Sequence, residues 1–151
     1  MGNASGWALW LTGLPASGKT TIAWALRHTL EARGISAIVI DSDALRALLL
    51  PNSTYTPAER DWLYHRLVEL TTWLVRSGEN VIIAATGSQR RYREAARAVL
   101  GVHFAEVWVR CPAAVCQARD PKGLYASASA GLAHNLPGVG AAYEPPEHPD
   151  A

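Results

Sequence analysis

Gly13-Leu14-Pro15-Ala16-Ser17-Gly18-Lys19-Thr20 decides the fold. The run fits G-x-x-x-x-G-K-[ST], and its surroundings are the ones that pattern needs. The apolar stretch Trp7 to Leu11 precedes it as a buried strand, and a helix from about Lys19 to Ala32, stopped by Gly34, follows. The glycines let the backbone wrap so that successive N–H groups face phosphate oxygens, and the helix N-terminus adds partial positive charge. In such a loop Gly13, Pro15, Ala16, Ser17, Gly18, Lys19, Thr20 and Thr21 contact the phosphates of a nucleotide. Lys19 reaches the β- and γ-phosphates, and the Thr20 hydroxyl ligates Mg²⁺.

Outward from the loop, the same alternation continues. Ala37 to Ile40 reads as a second buried strand ending at Asp41. Thr56-Pro57-Ala58-Glu59 combines an N-cap, a Pro at the first helical position and a capping-box Glu. Leu63, Leu67, Leu70 and Leu74 then line one face of that helix, which Gly78 ends. Val81 to Ala85 is a third strand, Ser88 to Val99 a very basic helix, Phe104 to Val109 a fourth strand, and a helix starts at Pro112. Four strand-helix alternations predict an α/β fold: a parallel sheet covered by helices on both faces, with ligands at the carboxyl ends of the strands. From about Asp120 the composition turns to Gly, Ala, Ser and Pro. This last quarter reads as a lid over about 119–137 and an irregular tail over 138–151, all within one domain of residues 1–151.

Composition narrows the function. At 151 residues, 49% apolar and 18% charged, the chain has the size of one globular domain. Fourteen basic against thirteen acidic residues supply no basic patch for nucleic acid. The longest apolar runs are strand-sized, far short of the ~20 residues of a membrane span. No leader pattern is read at Met1, so the cytoplasm is the expected compartment. Cys111 and Cys116 read as small apolar packers rather than a disulfide or metal pair. Twelve of the fourteen basic residues are Arg; Lys19 and Lys122 are the exceptions. One of those lysines is already in the phosphate loop.

The reaction is suggested by Asp41-Ser42-Asp43-Ala44-Leu45-Arg46 at the end of the second strand. Two carboxylates separated by one residue, facing bound phosphates, suit metal anchoring by Asp41 and a base for an attacking hydroxyl at Asp43. Arg46 is placed to clamp an anionic substrate by a bidentate contact. A structural reading competes, in which Asp43 caps a short helix through Leu50.

These residues resemble the adenylylsulfate kinase (APS kinase) family. The resemblance rests on the phosphate loop, the Asp41 to Arg46 segment, Arg60, and above all Ala118-Arg119-Asp120-Pro121-Lys122-Gly123-Leu124-Tyr125 with Tyr143-Glu144-Pro145-Pro146, and it runs from about Trp10 to Pro149. Such enzymes move the γ-phosphate of ATP to the 3′-hydroxyl of adenosine 5′-phosphosulfate. The resemblance implies Asp43 as base, with Lys19 and Lys122 beside it in catalysis, and Asp41 near the metal. Arg46, Arg60 and Arg66 would bind substrate. Arg119 and Lys122 would belong to a lid closing over the nucleotides. It further implies ATP and Mg²⁺, a small nucleotide acceptor, and a homodimer, for which the candidate exposed tryptophans Trp62 and Trp73 fit core or interface.

The sequence departs from the family on the acceptor side. Leu63-Tyr64-His65-Arg66 stands where the family has Asn-Ile-Arg-Arg, and Thr86-Gly87-Ser88-Gln89 where it has Ile-Ser-Pro-Tyr. His134, Leu136 and Pro137 replace a lid Lys and the Phe-Thr after it, so His134 is the expected acceptor contact there. The acceptor is therefore adenylylsulfate or another small anionic alcohol, and a non-catalytic nucleotide-binding subunit is the alternative. The family's last strand and helix do not follow Tyr143-Glu144-Pro145-Pro146. The expectation is a P-loop NTPase three-layer sandwich with four parallel strands in the order 2-3-1-4 and an uncovered outer edge.

Overall fold

A computed structural model of the chain describes residues 5–131 and 142–151. Four strands, β1 (Ala8–Thr12), β2 (Ile38–Asp41), β3 (Val81–Ala84) and β4 (Phe104–Trp108), form one parallel sheet in the order β2-β3-β1-β4. Helices α1 (Lys19–Glu31), α2 (Ser42–Leu49), α3 (Pro57–Arg76), α4 (Arg90–Leu100), α5 (Ala113–Arg119) and α6 (Leu124–Ser129) connect or follow them. The expected α/β architecture and strand order are both present.

Side-chain alternation along the central strands divides the core into two. Ala8 and Trp10 of β1 and Val81 and Ile83 of β3 pack with Tyr64, Leu67 and Val75 of α3 and with Tyr92, Ala96 and Leu100 of α4. Leu11, Ile82 and Ala84 face the other way, onto Ala23 of α1. Three layers result because each strand residue must choose one face or the other. Trp10 anchors the larger core: fully buried, it donates Nε1–H to Ala85 O at 3.0 Å and stacks on Tyr64, which stacks on Tyr92. Of the leucine face, Leu63 and Leu67 are fully buried, while Leu70 and Leu74 pack at its margin.

Four expectations need correction. β2 is an edge strand, so Ile38 stays 37% exposed instead of buried. α4 begins at Arg90, two residues later than expected, because residues 86–89 form a loop without regular structure and Gln89 takes the N-cap position. The capping box at α3 is only half made. Thr56 accepts from Glu59 N–H, but the Glu59 carboxylate turns to Thr54 N–H and the Ser53 and Thr54 hydroxyls. The outer edge of β4 is not left bare: Asp150 N–H donates to Glu106 O at 2.8 Å and Trp108 N–H to Ala151 O at 2.8 Å. Among the described residues, no helix is long and apolar enough to cross a membrane.

Candidate active site

The phosphate loop follows directly from the buried end of β1. A Cβ on Gly13 would lie 2.5 Å from Val109 O and 2.8 Å from Ser17 Oγ, so the loop can pass there only as glycine. Gly18 takes φ +101° to cap α1, and Ala16 also adopts a left-handed φ of +64°. Lys19 folds back over the loop, donating to Gly13 O at 2.9 Å and Leu14 O at 2.8 Å. Burial pushes its ammonium down to a pKa of about 8, against the opposing pull of Asp43 and Asp41. Ser17 Oγ is buried with no hydrogen-bond partner among the described residues. Thr21 is exposed on the first turn of α1.

Asp41, at the carboxyl end of β2, links this loop to the next helix. Thr20 Oγ1–H donates to its Oδ2 at 2.6 Å, and its Oδ1 accepts the N–H groups of Asp43 (2.9 Å) and Ala44 (3.2 Å). Burial works against the charge, but these donors hold the carboxyl below its ordinary value. The N-cap of α2 is therefore Asp41, not Asp43. Freed from capping, the exposed Asp43 carboxylate forms an ion pair with Lys122, which comes from the turn between α5 and α6.

Arg46, Arg60 and Tyr64 gather beside Asp43. Arg46 is 9% exposed, holds its guanidinium 4.7 Å from the Tyr55 ring, and leaves Nη1 without a partner among the described residues. Arg60 is equally buried, one turn before Tyr64 on the same face of α3. Burial raises the Tyr64 phenol, and the charges of Arg46, Arg60 and Asp43 all act on it. Arg66 lies apart, exposed and paired with Glu69 at 2.6 Å. Arg119 ends α5 with Nη1 3.9 Å from Cys111 Sγ, and Cys116 packs against Tyr125. Both cysteines are free thiols. His134 lies outside the described residues.

Several contributors escaped the sequence reading. Tyr55 occupies a left-handed φ of +58° at the rim, with nothing in its sequence to single it out. Tyr125 Oη donates to Pro15 O at 2.8 Å, tying α6 to the phosphate loop, a contact that its place at the end of the Arg119 to Tyr125 segment does not reveal. Tyr143 shares a hydrogen bond with Thr12 Oγ1 at 3.1 Å, directly before Gly13. Arg93 and Glu106 form a buried ion pair. A Glu inside an apolar strand, opposite a very basic helix, was the available signal.

The arrangement is a phosphate cradle with a carboxylate, a lysine from the α5–α6 turn and two buried arginines at its open side. Comparison with known proteins agrees. Residues 5–151 match the family model described as adenylylsulphate kinase. The adenylyl-sulfate kinase of Paraburkholderia xenovorans is 39% identical over 146 residues, covering 97% of this chain and 82% of that protein. The probable adenylyl-sulfate kinase of Archaeoglobus fulgidus is 40% identical over 143 residues, covering 94% and 91%. The structure of the Mycobacterium tuberculosis APS kinase CysC, in complex with AMPPNP and APS, superposes with a TM-score of 0.90 at 37% identity, covering 97% of this chain and 86% of that one. The chain belongs to the adenylylsulphate kinase family.

Proposed function

We propose that this protein transfers the γ-phosphoryl group of ATP to the 3′-hydroxyl of adenylylsulfate. The observation that carries the reading is the meeting of Asp43 and Lys122 at the open side of the phosphate loop, since it brings a carboxylate and a lid cation to one point. The family match supplies the substrate class.

In this reading the loop amides and Lys19 hold the β- and γ-phosphates. Asp43 accepts the proton of the acceptor hydroxyl as its oxygen attacks the γ-phosphorus, and ADP leaves on the opposite side. Lys122 exchanges its contact with Asp43 for the phosphates, and with Arg119 offsets the charge developing there. Arg46 and Arg60 face the anionic end of the acceptor, and the exposed Tyr55 ring offers a stacking face for its base. Arg66 and His134 are retained as acceptor contacts only within this proposal.

The donor set suits Mg²⁺. Among the described residues no three His, Cys, Asp or Glu side chains converge on a metal site, but Mg²⁺ typically uses one or two carboxylates with phosphate oxygens. Thr20 and Asp41 would hold it, with the Thr20 proton already directed to Asp41. The ion would supply charge neutralisation between the phosphates. We further place the protein in the cytoplasm, where its free thiols stay reduced, as a homodimer. Support for the dimer comes from Trp73, 66% exposed beside a groove of about 730 Å³ between α3 and α4. Sedimentation equilibrium tests it.

The function is tested by incubating the protein with γ-labelled ATP and either adenylylsulfate or other nucleotides. Label on the 3′-oxygen of adenylylsulfate is expected. ATP binding with no labelled acceptor would instead favour the non-catalytic reading.

A further inference from the structure

Among the described residues, Arg93 is the one arginine buried almost completely, at 1% exposure. Its guanidinium donates in three directions. Nε–H meets the Glu106 carboxylate on β4, Nη1–H the carbonyl of Gly87, and Nη2–H the carbonyl of Glu144 at 2.6 Å. The ring of Tyr143 lies 5.9 Å from the same guanidinium. A buried ion pair is a weak source of stability, because desolvation offsets most of its attraction. What this one does specifically is fix two carbonyls from segments that lack regular structure.

The position of one of those segments matters. Residues 86–89 leave the carboxyl end of β3, which stands between β2 and β1 in the sheet. β2 ends at Asp41 and β1 leads into Gly13, so this loop leaves the sheet between the two strand ends that deliver the Asp41 to Asp43 carboxylates and the phosphate loop. It is held from all sides: Thr86 O accepts the Thr12 hydroxyl at 2.6 Å, and Gly87 N–H donates to Tyr64 Oη at 2.9 Å. Tyr64 in turn sits in the field of Arg46, Arg60 and Asp43. Gly87 takes φ +53°, and a Cβ there would lie 3.0 Å from the Trp10 ring and 3.2 Å from the Arg93 stem. The loop is thus pressed onto Arg93 with no room for a side chain.

We infer that Arg93 is a positioning residue for the acceptor: by clamping Gly87 O and Glu144 O through its pair with Glu106, it sets the floor on which the acceptor hydroxyl lies between Asp43 and the γ-phosphate. This rests on the kinase reading. The three acceptors of Arg93 are on Glu106, Gly87 and Glu144, none of them in residues 13–20 that would hold ATP, so donor and acceptor effects separate.

Arg93→Lys keeps the charge but loses the planar three-way fork. The expected result is a rise of roughly ten- to hundredfold in KM for adenylylsulfate, with ATP affinity and kcat changed far less. Glu106→Gln, a milder change that keeps an acceptor for Nε–H, should move the same parameter by a smaller factor. Hydrogen exchange supplies a readout that does not depend on the substrate: amides of Gly87, Ser88 and Glu144 should exchange faster in Glu106→Gln, while those of Lys19 to Ala23 stay protected. Equal losses of ATP and acceptor affinity, or unchanged acceptor KM and unchanged exchange at residues 87–88, would overturn the inference. If the unaltered protein phosphorylates no adenylylsulfate, the kinase reading fails, while the exchange pattern alone still decides whether Arg93 clamps the loop.

Discussion

Lys122 Nζ donates to Asp43 Oδ2 across 79 residues of chain. The turn after α5 thereby touches the helix after β2, at the point where the proposed reaction has the attacking hydroxyl lose its proton. Both side chains are about half exposed, so the pair itself contributes little to stability. In the proposed transfer its role is catalytic placement.

Asp43→Asn therefore serves as the sharpest single substitution. With Asp41 holding the helix cap, the change leaves α2 intact. Turnover should fall by about 10²- to 10⁴-fold, the span typical of a lost general base, with ATP affinity nearly unchanged. Steady-state kinetics alongside equilibrium nucleotide binding check this. Small, equal effects would leave Asp43 without a chemical role.

Lys122→Met removes the cation from the other side of the same contact. If the lysine moves to the phosphates during transfer, kcat should drop by about 10²-fold, comparable to losing one preorganised donor. Thermal melting should be unaffected, given the exposure of the pair. A melting shift without a kinetic defect would make Lys122 a structural tether only.

The fold was legible because each of its signals was local. Gly13 to Thr20 with a flanking apolar run, the Thr56-Pro57 helix start, and the Gly78 stop each announce themselves within a few residues, and β1, α3 and β3 follow. What could not be read is mostly long-range. That Asp41 rather than Asp43 caps α2 depends on the angle at which β2 delivers the chain. That Glu59 turns back to Thr54 depends on the loop before α3. The exposure of Ile38 depends on where β2 falls in the sheet order, and the Arg93–Glu106 pair on β4 and α4 meeting side by side. At the site, the motif residues Lys19, Thr20, Asp41, Asp43 and Lys122 converge. Tyr55 carries no motif that marks it, while Tyr125 and Tyr143 stand in the quoted segments but reach Pro15 and Thr12 only through long-range contacts.

Nucleotide binding should depend on pH through Lys19. Burial lowers its pKa from 10.5 to about 8, so the free protein loses that charge as pH rises through about 8. ATP affinity should weaken above that point, and binding near pH 8.5 should take up a proton as the phosphates restore the ammonium. Calorimetry in buffers of different ionisation enthalpy reads the proton directly. Stability moves the other way. Between about 8 and 10.5 the unfolded chain holds more protons than the folded one, so unfolding free energy should rise with pH across that window. A flat affinity profile with no proton uptake would contradict the placement of Lys19.

Thr56→Ala isolates a purely local contribution. The hydroxyl accepts the Glu59 N–H at 3.2 Å and caps the longest helix. Its loss should cost about 1 kcal/mol, which for a domain of this size is about 2–4 °C in Tm. The KM for ATP should hold, since the hydrogen bonds of Thr56 run to Glu59 and Arg60 of its own helix rather than to the phosphate loop.

The central claim is the transfer itself. The most direct measurement is a single turnover with γ-labelled ATP, excess protein and adenylylsulfate, with products resolved by position of the label. The account predicts label on the 3′-oxygen of adenylylsulfate, formed at a rate that Asp43→Asn lowers by about 10²- to 10⁴-fold. Label found only in inorganic phosphate, or on another nucleotide while adenylylsulfate stays unlabelled, would contradict it.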